Sequence, residues 1–151
     1  MRRIAFIVGL LVLGSNAWAD DLSMWYGTWV LREDQGKQVL TMIVEERASG
    51  WHVTYKLVGP NAPEAVSTFV TQLDGKQVPL MIAGKPSDQT MGVKKLDGHH
   101  TLTVLKFQGQ PMGLSKSELS PDGKVIKTET DYVDGSSSGM KGKQIQYWDK
   151  K

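Results

Sequence analysis

The sequence predicts an all-β protein: an antiparallel up-and-down β-barrel of about 8–10 strands behind an N-terminal signal peptide. Three observations lead there. Asp-Gly pairs stand at Asp74-Gly75, Asp97-Gly98, Asp122-Gly123 and Asp134-Gly135, and Asp-Gly between alternating segments marks hairpins, because turns that match strand twist need positive φ. The segments between these turns, such as Thr101–Phe107 and Lys124–Val133, have the length of barrel staves at about 3.3 Å per residue. No helical pattern follows the leader, so no helix is at hand to cover a sheet face. The sheet must then roll up, which also removes its exposed edges.

The leader is read first. Arg2 and Arg3 form a basic start, Ile4 to Leu13 an apolar run, and Ala17-Trp18-Ala19 a small-x-small cleavage site before Asp20 and Asp21. Residues 1–19 are therefore expected to be a signal peptide cleaved after Ala19, leaving 20–151 as a single β-barrel domain in the periplasm or the medium. The apolar run is well short of the ~20 residues that span a bilayer as a helix, so no stable membrane anchor is expected. The chain has no cysteine, which rules out thiol chemistry and disulfides.

Without the leader the charge balance changes: 18 − 2 = 16 basic residues face 16 acidic ones. A formal charge of zero supplies no field to hold nucleic acid or anionic lipid.

Asp20 to Tyr26 has room for one helical turn, capped by Asp21 or Ser23. Gly27 to Arg32 is the first strand, with Trp29 and Leu31 on one face, and Glu33 to Lys37 is a short turn. Gln38 to Glu46 follows as the second strand. In the third, Trp51, Val53, Tyr55 and Leu57 alternate with His52, Thr54 and Lys56, the period of a half-buried strand. Gly59 to Pro63 breaks it. Ala65 to Leu73 resumes with Phe69 inward, and Lys76 to Ala83 contains Pro79, which fits an edge or a bulge. After a loop at Gly84 to Asp88 come four regular segments: Gln89–Leu96, Thr101–Phe107, Met112–Leu119 and Lys124–Val133, with a turn expected at Gly109-Gln110-Pro111. Asp134 to Gly142 is a flexible loop by composition, and Lys143 to Asp149 closes the chain.

Gly27-Thr28-Trp29, beside the start of the first strand, resembles the Gly-x-Trp signature of lipocalins and fatty-acid-binding proteins. The leader, a run ending Leu-Asp-Gly, Ser120-Pro121-Asp122-Gly123-Lys124 and a final Tyr147-Trp148-Asp149 extend the likeness. Over its whole mature length the chain looks like small exported bacterial lipocalin-like proteins of the calycin group. The resemblance implies a barrel whose Trp29 closes one end of a cavity. The chain departs from it in having no helical lid after the first strand, no long first loop and no helix after the barrel. An arginine that packs across the tryptophan in the family has two candidates here, Arg32 and Arg47.

If Trp51, Val53 and Tyr55 point inward, the rows Met91-Val93-Lys95, Leu102-Val104-Lys106 and Met112-Leu114-Lys116 are the matching inner rows, each starting apolar and ending in lysine. Such a lumen suits a small hydrophobic or amphipathic molecule, a carboxylate among the options, since pockets are mostly apolar with a few placed polar groups. The expected ligand-binding residues are Trp29, Trp51, Tyr55, Phe69, Met91, Leu102, Val104 and Met112, with Lys106 or Lys116 contacting an acid group. The plainer reading puts those lysines past the rim in water. A one-residue slip would exchange the faces and bring the rows Thr101-Thr103, Ser115-Ser117 and Thr128-Thr130 inside instead, and the sequence leaves that open.

The function expected is sequestration or carriage of that ligand, with no enzyme activity, no catalytic residue, no metal and no cofactor. His99 and His100, adjacent on a strand, point to opposite sides and make a poor paired ligand; no P-loop, HExxH or GxGxxG motif occurs. The alternative is a non-catalytic module whose barrel is filled by its own side chains and whose loops, Gly135 to Gly142 and Gly84 to Asp88, contact another envelope protein.

Overall fold

The computed structural model describes residues 21–32, 36 and 38–151. The leader expected over residues 1–19 and most of the turn over 33–37 lie outside them. A 3-10 turn, Ser23–Trp25, precedes ten antiparallel strands: β1 (Gly27–Leu31), β2 (Val39–Arg47), β3 (Gly50–Gly59), β4 (Ala62–Thr71), β5 (Val78–Ile82), β6 (Lys85–Asp97), β7 (His100–Phe107), β8 (Gln110–Leu119), β9 (Val125–Tyr132) and β10 (Gly142–Lys150). Each strand pairs with the next, and β1 pairs with β10, so the sheet is a closed barrel. The all-β, up-and-down architecture is the one the turn chemistry predicts.

The seam is set by a register that places Trp29 opposite Lys150 and Leu31 opposite Trp148. Outside it, the Arg32 guanidinium donates two hydrogen bonds to Asp149, at 2.9 and 2.6 Å, and lies over the Tyr147 ring. The Asp149 carboxyl is held below its usual range chiefly by those bonds. The cation above Trp29 is neither Arg32 nor Arg47: the Lys150 ammonium stands 5.0 Å from its ring centroid and donates to the Met24 carbonyl.

Two expected turns sit elsewhere. The predicted loop over Gly84 to Asp88 is instead a two-residue hairpin at Ala83-Gly84, with φ of 51° and 76°, and residues 85–88 already belong to β6. Likewise the β7–β8 turn is Gln108-Gly109, with φ of 51° and 75°, while Gln110 and Pro111 start β8. Both positions after the first turn residue are glycine because a left-handed pair is what matches strand twist. Pro79 does stand at an irregularity, between the pairs Pro79–Thr90 and Met81–Pro86.

The core gathers at one end. Trp29 is fully buried, and its indole Nε1–H donates to the Trp25 carbonyl at 2.9 Å. Trp25 in turn donates from Nε1 to the Gly98 carbonyl in the β6–β7 turn at 2.8 Å, and packs 5.7 Å from Trp51. The 3-10 turn thus crosses the barrel end that carries the β6–β7 and β8–β9 turns, where Met24 lies against Gly123. Below it, Leu119, Ile126 and Trp148 complete the floor.

Candidate functional site

Above that floor the barrel holds a cavity of about 380 Å³. Alternation within each strand decides what faces it. From β2 to β6 the inward side chains are mainly aliphatic and aromatic, among them Met42, Val53, Tyr55, Phe69, Met91 and Val93. Tyr55 stacks on Phe69 at 6.3 Å and leans toward Trp148 at 6.2 Å. Burial pushes the Tyr55 phenol up to about 12, and raises that of Tyr132, so neither ionises at neutral pH.

From β7 to β10 the wall is different. Register sets two rows straight across four neighbouring strands: Thr101, Ser117, Thr128 and Gln146 in one, and Thr103, Ser115, Thr130 and Gln144 in the other. The hydroxyls are linked along these rows, Ser115 to Thr130 at 2.6 Å and Ser117 to Thr128 at 2.9 Å. Tyr132 donates to Gln144 at 3.2 Å beside the second row. Apolar Leu119, Ile126 and Trp148 flank the rows toward the floor. Among the described residues, none that lines the cavity is charged.

The sequence-predicted site residues divide accordingly. Trp51, Tyr55, Phe69 and Met91 line the cavity. Trp29 lies in the core of the closed end and Met112 in the core of β8, and neither lines it. Leu102, Val104, Lys106 and Lys116 are on the outer side of the barrel; Leu114 shares that side, and Val104 and Leu114 are exposed. Lys95 stands opposite Thr101 without lining the cavity. The lysine-ended inner rows of β7 and β8 are therefore corrected: the hydroxyl rows take their place.

Two bulges are the physical reason. A flush two-residue turn at Gly98-His99, continuing the Asp97–His100 pair, would set Val93 opposite Val104 and carry Leu102 and Val104 inward. Leu96 is instead an extra residue between the pairs Lys95–Thr101 and Asp97–His100, so Val93 meets Thr103. In β8 the extra residue is Met112, between the pairs Lys106–Pro111 and Leu105–Gly113, and Ser115 falls opposite Thr103. One additional residue per bulge reverses every side chain beyond it. Sequence reasoning also missed Leu105, Tyr132, Gln146 and Trp148 as lining groups. The signal for Leu105 was its place in the hairpin opposite Met91, read from register instead of hydropathy.

Ser67 and Thr71 of β4 and Gln89 of β6 are the polar lining groups of the other wall, and the histidines and the loop serines lie outside the lumen. In the β6–β7 turn the His100 ring meets Asp97 through Nδ1 at 2.8 Å and stands 3.6 Å from Glu118 through Nε2. Among the described residues no cluster of His, Cys, Asp or Glu is arranged to hold a metal. Gly135-Ser136-Ser137-Ser138-Gly139 has the spelling of a nucleophile elbow, Gly-x-Ser-x-Gly. It lies in the β9–β10 loop, where Ser136 bonds Ser138, and not on a strand-to-helix turn. All three histidines belong to the opposite end of the barrel.

No family model, no curated protein and no solved structure matches the chain.

Proposed function

We propose that the protein is an exported lipocalin-like carrier that holds a small hydrophobic or amphipathic molecule in its lumen. The observation that carries this reading is the cavity of about 380 Å³ at the centre of the barrel, within the size range of small-molecule sites and walled largely by apolar side chains. A barrel acting only as a protein-interaction module needs no such space, because close-packed side chains would fill it. No carboxylate, imidazole or amine lines the cavity among the described residues, which favours binding and release without bond-making.

The test is native mass spectrometry of the exported protein, paired with titration of the delipidated protein by a lipid extract. Trp25, Trp51 and Trp148 border the cavity, so occupancy should change the tryptophan emission. Expected are an adduct on the isolated protein and a saturable fluorescence change. An adduct-free protein whose emission ignores the extract would sink the carrier reading.

A further inference from the structure

The polarity of the lumen is weighted to one side of its circumference, and no charged group lines it among the described residues. A head-and-tail acid such as a fatty acid is normally served by a cation at one end of an apolar tube. Here most of the polar groups form two rows along the β7–β10 wall at mid-depth, with apolar side chains toward the floor, while Ser67, Thr71 and Gln89 are the polar members of the β2–β6 wall. Neighbouring strands are about 4.8 Å apart, so the row from Thr101 to Gln146 offers hydrogen-bonding groups at roughly that spacing over ~14 Å, and the second row lines the lumen through Thr103, Ser115 and Thr130.

Proton bookkeeping sharpens the chemistry. A hydroxyl has one proton to give and two lone pairs to receive with. In each of the pairs Ser115–Thr130 and Ser117–Thr128 one O–H is spent on the partner. What is left per pair is one donor and three acceptor positions, a surplus of acceptors. An occupant that brings its own O–H or N–H groups satisfies that surface. A carboxylate accepts only, and it would also carry a charge into a site where none of the lining groups among the described residues is a cation, which is strongly unfavourable.

We propose, resting on the carrier reading, that the lumen selects uncharged, donor-rich amphiphiles, meaning polyols or amides with an apolar body, over carboxylates of the same chain length. The hydroxyl rows with Gln146 take the polar edge, and the mainly aromatic and aliphatic wall of β2–β6 takes the apolar body. The ligand class is recognised by neutrality and by hydrogen-bond donors.

Three probes on one twelve-carbon chain test it: 1-monolauroylglycerol (neutral, two donors), methyl laurate (neutral, acceptor only) and laurate (charged, acceptor only). Dissociation constants are read from tryptophan emission of the delipidated protein, below each probe's micellisation limit. The glycerol ester is expected to bind at least tenfold tighter than laurate and measurably tighter than methyl laurate. The ratio to laurate should shrink in Ser117→Ala/Thr128→Val. Should that variant fail to fold, the wild-type protein decides alone, since laurate should tighten as pH falls through its own pKa and its charge is lost. Equal affinities for all three would overturn the selectivity while leaving carriage standing. Tighter binding of laurate would do the same, and binding of none would remove both.

Discussion

Replacing Ser115 and Thr130, singly and together, asks whether the hydroxyl wall is a bonded structure or a set of independent polar side chains. Their oxygens are 2.6 Å apart, at the short end of the O–H···O range, and both residues are buried. Ser115→Ala removes a bond with a net worth of about 0.5–1.5 kcal/mol and leaves the Thr130 hydroxyl to find another partner. Because that hydroxyl borders the cavity, water can reach it and the orphan penalty stays at its lower end, for a total of about 1–2 kcal/mol. Thr130→Val keeps the shape and loses the same bond from the other side. In the double variant the bond is lost once and no orphan remains, so its cost should fall short of the sum by about 1 kcal/mol. Urea unfolding followed by far-UV circular dichroism measures this. With a slope of about 1–3 kcal/mol per molar urea, each single change should lower the midpoint by a few tenths of a molar or more, and the pair by less than twice that. Costs that add within ~0.3–0.5 kcal/mol would mean the two hydroxyls are uncoupled, and the account of the wall would be wrong.

Three further outcomes follow from the packing. Gly92→Ala should destabilise the barrel by about 1–3 kcal/mol in the same assay, because a Cβ there would collide with the Gly75 carbonyl and come within 2.6 Å of the Gln77 amide; an unchanged midpoint would refute the close crossing of the β4–β5 connection over β6. Trp29→Phe keeps most of the ring but leaves the Trp25 carbonyl without its indole donor, and should cost about 1–3 kcal/mol by thermal unfolding. The Asp97 hydrogen bond, with help from Glu118, raises the His100 pKa above 6.5, while that of Asp97 is lowered first by the His99 backbone N–H and then by the His100 ring. The His100 contribution is therefore complete below pH ~6.5 and lost as pH rises through its folded value. Since the pair is about half exposed, the loss is at most about 1 kcal/mol, and His100→Gln should flatten the fall in stability between pH 6 and 8.

How much of this was readable in one dimension depends on the distance over which each feature is decided. Strand existence and order were legible, since they follow from local alternation and glycine-bearing turns. The face assignment of β3 was legible too: Trp51, Val53 and Tyr55 stand against polar neighbours on the same strand. In β7 the local signal pointed the wrong way, because Leu102 and Val104 are more apolar than Thr101 and Thr103. Their placement is fixed by pairing with β6, and the pairing turns on Leu96, a single residue that a bulge expels to 54% exposure. Hydropathy has no means of counting that residue. It could have been found only by asking which hairpin register keeps Met91 and Val93 inward together with Leu105.

The cation over Trp29 shows the same limit at the other end of the chain. Arg32 is three residues from Trp29, hence on the opposite face of an extended strand, and it sits outside with Asp149 and Tyr147. Arg47 pairs with Glu45 on the surface. Only closure of β1 on β10 brings Lys150 opposite Trp29, so the residue that completes the plug comes from the far end of the sequence. Closure does the same for the cavity. It sets the largely apolar wall supplied by β2–β6 against hydroxyl rows supplied by β7–β10, two surfaces made by different halves of the chain. Neither half has a binding site of its own, and the selectivity proposed for the lumen exists only because the seam holds them face to face.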